Sequence, residues 1–100
     1  MTNKKVIFNN YTCTLQFAQY SNGRTAIELL DDKDGEPVAT ATVNLPNVPL
    51  AHDHVMIKNY SENDGMLKTL MDAGIISEPV NIVASGYILV PIVKLLVKPE

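Results

Sequence analysis

The sequence predicts an α+β fold, an antiparallel β-meander with one short helix packed on the sheet. Three observations predict it. Apolar and polar residues alternate through three segments of the first half. Two turn signals, Asn22-Gly23 and Asp34-Gly35, separate those segments. A single stripe of apolar residues at helical spacing follows them.

The strands come in order. Val6-Ile7-Phe8 is a short apolar run ended by Asn9-Asn10. Tyr11, Cys13, Leu15 and Phe17 then alternate with Thr12, Thr14 and Gln16, so a period of two assigns the first set to a buried face. Thr25, Ile27 and Leu29 repeat the pattern. Ala39, Ala41, Val43 and Leu45 repeat it again, with Thr40, Thr42 and Asn44 facing outward.

The turns set the register. A two-residue turn at Asn22-Gly23 would place Phe17 opposite Glu28 and cross the core face with the solvent face, which the side-chain period forbids. A three-residue loop, Ser21-Asn22-Gly23, places Phe17 opposite Ile27 and Leu15 opposite Leu29, with Gly23 in the left-handed conformation such loops need. By the same logic a Lys33-Asp34-Gly35 loop places Leu29 opposite Ala39, Ile27 opposite Ala41 and Thr25 opposite Val43.

Pro46 and Pro49 break the ladder after Leu45. Val55 to Tyr60 reads as a short strand. Ser61 is then the expected N-cap of a helix over about residues 62–73, with acidic residues in its first turn. Met66, Leu67, Leu70 and Met71 form its apolar stripe, and Asp64, Lys68 and Asp72 its charged face. Gly65 lowers helix propensity near the start, and Gly74 is placed to end the helix at C′. The remainder reads as Val80 to Val83, a Ser85-Gly86 turn, and an apolar run from Tyr87 to Val97. Being apolar on both faces, that run reads as a central or doubly covered strand, with a bulge or break at Pro91.

Length and charge bound the function. A chain of 100 residues is one domain's worth, 1–100, with 46% hydrophobic and 19% charged residues, a globular composition. A net charge of -3 supplies no general attraction to phosphate, so no nucleic-acid partner is expected. The lysine-containing segment from Met1 to Phe8 is too short in apolar residues for a signal peptide. The run from Tyr87 to Val93 is far short of a membrane span. With Cys13 alone, no intrachain disulfide is available. These features point to a cytoplasmic protein with no membrane partner.

Few residues suggest chemistry. His52 and His54 would share a face of a strand, but no third ligand is implied by spacing, so no metal is expected. The Asp31–Glu36 segment superficially suggests a calcium loop. Aligning Gly35 with that loop's glycine puts Leu30 and Ala41 where carboxylates belong, so the match fails. Cys13 falls in the buried alternation and reads as a small hydrophobe. Ser85-Gly86 lacks a nucleophile-elbow frame, and no phosphate-binding or dinucleotide motif is present. No catalytic residue and no cofactor is expected.

The stretch from Asn59 to Leu95 carries Asn63, Gly65, Leu67, Leu70, Gly74, Gly86 and Pro91, and follows Ala41-Thr42-Val43-Asn44-Leu45. In this pattern the chain resembles a family of small domains of unknown function encoded on bacterial phages, plasmids and conjugative elements. The resemblance covers about 60 residues, in pieces, and carries no catalytic residues. It implies a mobile-element context in the bacterial host cell. By analogy with small acidic proteins of that context, it implies binding to a host protein such as a defence effector, in the manner of a CRISPR inhibitor.

The sequence-level expectation is therefore a non-enzymatic protein-binding accessory protein. Its candidate partner-binding residues are Asp31, Asp32, Asp34 and Glu36 at the hairpin tip and Tyr60, Glu62 and Asp64 at the helix start. A small-ligand or nucleotide-binding homo-oligomer with a pocket between subunits is the first alternative. A structural or assembly component is the second.

Overall fold

Alternation in the first half folds as a four-stranded antiparallel meander in the order β1-β2-β3-β4. Its strands are β1 (Lys5–Phe8), β2 (Tyr11–Gln19), β3 (Thr25–Asp31) and β4 (Pro37–Thr40). The second half supplies β5 (His54–Met56), a 3-10 turn (Ser61–Asn63), helix α1 (Met66–Asp72), β6 (Ile76–Ser85) and β7 (Ile88–Leu95). These strands form a three-stranded sheet in the order β5-β7-β6. The computed structural model describes residues 5–98. Residues 1–4, which belong to the amino-terminal segment weighed as a leader, and 99–100 lie outside the described residues.

The register of the first hairpin follows from its side chains. Leu15 pairs with Leu29 and Phe17 with Ile27. The loop closes with the Tyr20 amide donating to Arg24 O at 2.8 Å, and Gly23 has φ +86. The second hairpin agrees at Leu29–Ala39 and then departs, because a bulge at Leu29/Leu30 sets Leu30 opposite Pro37. Proline cannot donate to the ladder, and a bulge at an edge strand is where it is tolerated. Asn9 and Asn10, at φ +49 and +68, form a tight left-handed turn that returns β1 directly into β2.

The third predicted strand ends early. β4 stops at Thr40, so Thr25 does not pair with Val43. Instead the chain swings to the second sheet. Lys58 N donates to Ala41 O at 2.8 Å, Val43 N donates to Met56 O at 3.0 Å, and Thr42 bridges Ile57. Thr42, expected to face outward, is buried. Its hydroxyl accepts the Ile27 amide at 3.2 Å and lies 2.9 Å from the Tyr20 hydroxyl.

One apolar core unites the two sheets and the helix. Val6, Phe8, Cys13, Ile27 and Leu29 enter it from the meander, Val55 and Val93 from the second sheet, and Met66 and Leu70 from α1. The opposite face of the second sheet carries Met56, Val90 and Ile92, covered by Val43, Leu45, Val48 and Leu50 of the connecting loop. Arg24 holds that loop down. Its guanidinium donates to Leu45 O at 2.8 Å and also to Val48 O.

The helix and Pro91 also depart from expectation. Ser61 makes no capping bond and sits at φ +55, so it does not start the helix. A 3-10 turn covers Ser61–Asn63, and α1 begins only after Gly65, whose φ of +91 marks the N-cap. Asn59 Oδ1 accepts the Leu67 amide at 2.9 Å and satisfies one of the first-turn donors. Gly74 follows the C-cap residue Ala73 at φ +74, as expected for C′. β7 runs unbroken through Pro91, and the irregularities lie in β6 around Pro79. Pro91 O accepts the Ile57 amide at 3.0 Å. The reciprocal bond needs a proline N–H that does not exist, and the β5 ladder ends there at Met56.

Candidate functional site

The acidic tip is built on the β3–β4 turn. Asp31 N donates to Glu36 O and Gly35 N to Asp31 O, both at 2.8 Å. Two carboxylates then fold back on the turn. Asp31 Oδ1 accepts the Lys33 amide and Asp34 Oδ1 the Glu36 amide, each at 2.9 Å. These short-range bonds are what aspartate offers a turn, and they order the loop without a partner. The tip is also pinned to β2, since Asp32 N donates to Thr12 O at 2.9 Å.

Charge at the tip is partly compensated. Lys5 Nζ lies 3.0 Å from Asp32 Oδ2. Among the described residues, no ion pair reaches Asp34 or Glu36, and both are exposed. Tyr11 stands beside them. The alternation of β2 assigned it to the buried face, yet it is half exposed, although its partner across the turn, Phe8, is buried in the core. Two shallow clefts of about 390 and 320 Å³ flank it. The first is lined by Asn10, Thr12, Asp32 and Lys33, the second by Asp34, Glu36, Pro37 and Val38, and both by Tyr11 and Asp31. Sequence reasoning missed Tyr11 here. The signal available was its place next to the Asn9-Asn10 turn, where a strand's first residue often leaves the core.

The second candidate surface is smaller in charge than its composition suggests. Lys58 forms a salt bridge with Glu62, which holds that carboxyl below the usual carboxylate range and raises the lysine. The Lys58 ammonium also lies 5.7 Å from the Tyr60 ring centroid, a cation–π distance. Tyr60 and Glu62 therefore share one cation, and Asp64 is exposed beyond them. Asn63 Nδ2 donates to Thr40 O at 2.7 Å, tying this turn to the end of β4. The two acidic surfaces thus sit at opposite ends of β4. At the rise of a strand, its four residues set them on the order of 10–15 Å apart.

The remaining candidates fall elsewhere. His54 lies in β5, with Nε2 3.7 Å from Asp53 Oδ1, while His52 is exposed in the preceding loop. Among the described residues, no three histidine, cysteine or carboxylate side chains converge as metal ligands. His52 lines a separate cleft of about 350 Å³ with Thr25, Asp53, Leu95, Val97 and Lys98. Cys13 is fully buried. Burial, and secondarily the charge of Asp31, push its thiol above the ordinary value. No helix among the described residues is long and apolar enough to cross a membrane.

Comparison with family models, curated proteins and solved structures finds no match to this chain.

Proposed function

We propose that this chain is a non-enzymatic protein-binding accessory protein of a phage or mobile element, acting in the bacterial cytoplasm on a host protein of a defence system. The observation that carries the binding role is the prefolded acidic tip. Asp34 and Glu36 project from a turn already closed by its own backbone and aspartate bonds, so little ordering entropy is lost when a basic partner docks. Tyr11 adds an aromatic face beside the carboxylates, which suits a lysine or arginine side chain. The helix start, with Tyr60, Glu62 and Asp64, is a weaker surface because Lys58 already neutralises Glu62. The mobile-element context rests on the resemblance of the second half to domains encoded there.

The test pairs a cellular assay with a charge variant. Expression in a bacterial host with an active CRISPR system should restore transformation by a targeted plasmid. Asp34→Asn combined with Glu36→Gln should weaken this, because it removes charge while keeping the Asn Oδ1 acceptor for the turn. Charge of this kind acts mainly on association rate and is screened by salt. A captured partner should therefore associate more slowly with the variant at low salt, with little difference at high salt. Unchanged association at low salt would remove the acidic tip from the mechanism.

A further inference from the structure

The β6–β7 hairpin extends its apolar surface beyond the core. Along β7 the face that carries Val93 into the core also carries Pro91 and Leu89, since strand side chains alternate. Leu89 pairs with Ala84 and Pro91 with Ile82, so Ala84 and Ile82 lie on that same face. Near the tip no described residue covers it. Leu89 is 67% exposed, Ile82 55% and the adjoining Val80 56%, and Tyr87 at the turn is fully exposed. From Pro79 to Val93 the sequence contains no charged residue and no histidine.

The outer edge of β6 is unsuited to strand addition. Pro79 has no amide to offer, two register shifts distort the strand, and Asn81 Oδ1 accepts the Ile82 amide at 2.8 Å. These are devices that block edge pairing. Whatever covers this arm therefore meets its face and not its edge. The face has no charge for a heterologous partner to read, whereas an uncharged apolar surface can meet a second copy of itself across a two-fold axis.

We propose that this face is a homodimer interface, in which the β6–β7 arm of a second copy lies against it. The exposed parts of Tyr87, Leu89, Ile82 and Val80 amount to about 500 Å² per copy, at the scale of the largest patches on monomers. Two copies then bury at most about 1,000 Å², the lower limit for a specific interface, which sets the dimer in the weak, micromolar range. A net charge of -3 per chain opposes association only modestly at physiological salt, where charges are screened within about 8 Å.

Sedimentation equilibrium of the full chain, over a range from about 1 µM to several hundred µM, tests this. The expected result is a reversible shift from the 11.0 kDa monomer to twice that mass. Leu89→Lys and Ile82→Lys should each raise the dissociation constant tenfold or more. Both positions are exposed, so circular dichroism and thermal midpoint should stay near the parent's. Asp34→Asn, at the acidic tip, should leave the dimer unchanged, which separates this interface from the partner surface proposed above. A chain that stays monomeric at several hundred µM overturns the proposal. So does a dimer indifferent to both lysine variants. A monomer that floats with phosphatidylcholine vesicles and loses that on Leu89→Lys assigns the face to lipid, and overturns it as well.

Discussion

Asn63 shows how one buried polar residue joins parts of the chain that sequence alone leaves separate. It is 2% exposed, and its side-chain amide donates to Thr40 O at 2.7 Å, 23 residues earlier in the chain. Thr40 is the last residue of β4, so this bond ties the 3-10 turn to the end of the meander's edge strand. Removing the donor breaks that bond, which costs about 0.5–1.5 kcal/mol. Asn63→Ala should lower unfolding stability by that amount in urea denaturation. Asn63→Asp should cost more at neutral pH, because it sets a carboxylate against the carbonyl. An Asp variant as stable as the parent would show that the contact carries nothing. The sequence offered Asn63 as part of the helix start and of the family pattern, not as a tie to β4. Its role depends on a contact between distant segments, which periodicity does not encode. Thr42 was misassigned for the same reason: alternation sent it outward, but the chain turned before Val43 and took it into the core. Cys13, by contrast, was legible because it alternates with Leu15 and Phe17, whose partners Leu29 and Ile27 lie in the core.

At the scale of elements, local turn chemistry was readable and helix initiation was not. The β2–β3 register follows from one constraint, that Leu15 and Phe17 must meet Leu29 and Ile27 on the core face, and it was deduced residue by residue. The acidic candidates at the β3–β4 tip were legible for the same reason, since charge clustered at a turn is visible without tertiary contacts. The helix start misled because Ser61 followed by acidic residues is a strong N-cap pattern. Here Ser61 belongs to a 3-10 turn, and Asp64 is extended at φ -53 and ψ 128 before Gly65 reverses the chain. Gly65, read as a weakness inside a helix, is the residue that permits the change of direction. Its φ of +91 lies where L side chains are strained, and nothing lies within 4 Å of an added Cβ. The cost of Gly65→Ala is therefore conformational and not steric, about 1–2 kcal/mol. Gly65→Asn should recover part of that loss, since asparagine visits the left-handed region more readily. Thermal melts of the two variants give the comparison. An alanine variant equal to the parent would mean that the backbone here relaxes freely.

At the scale of the whole molecule, the question is whether two sheets fold as one unit. Among the described residues the backbone connection between them is thin, consisting of the bonds around Ala41–Val43 and Met56–Lys58. Side-chain connection is not, because a single core takes Ile27 and Leu29 from the meander, Val55 and Val93 from the second sheet, and Met66 and Leu70 from α1. Ile57 sits at the junction. It is fully buried in that core, bridges Thr42 just beyond the end of β4 and donates its amide to Pro91 O of the second sheet. The sequence could not show this joint, since the second sheet's order puts β7 between β5 and β6 through contacts far apart in the chain. Truncating a buried isoleucine to alanine typically costs 2–5 kcal/mol. If the core is shared, Ile57→Ala should lower the opening free energy of Leu29 and of Val93 by the same amount, about 2–5 kcal/mol. Amide hydrogen exchange followed by NMR reads both sheets in one experiment. Equal losses mean that burial across the sheets, and not the few bonds between them, makes the domain one cooperative structure. A loss at Val93 with Leu29 unchanged would instead divide the chain into two independently opening sheets, with Ile57 belonging to the second alone.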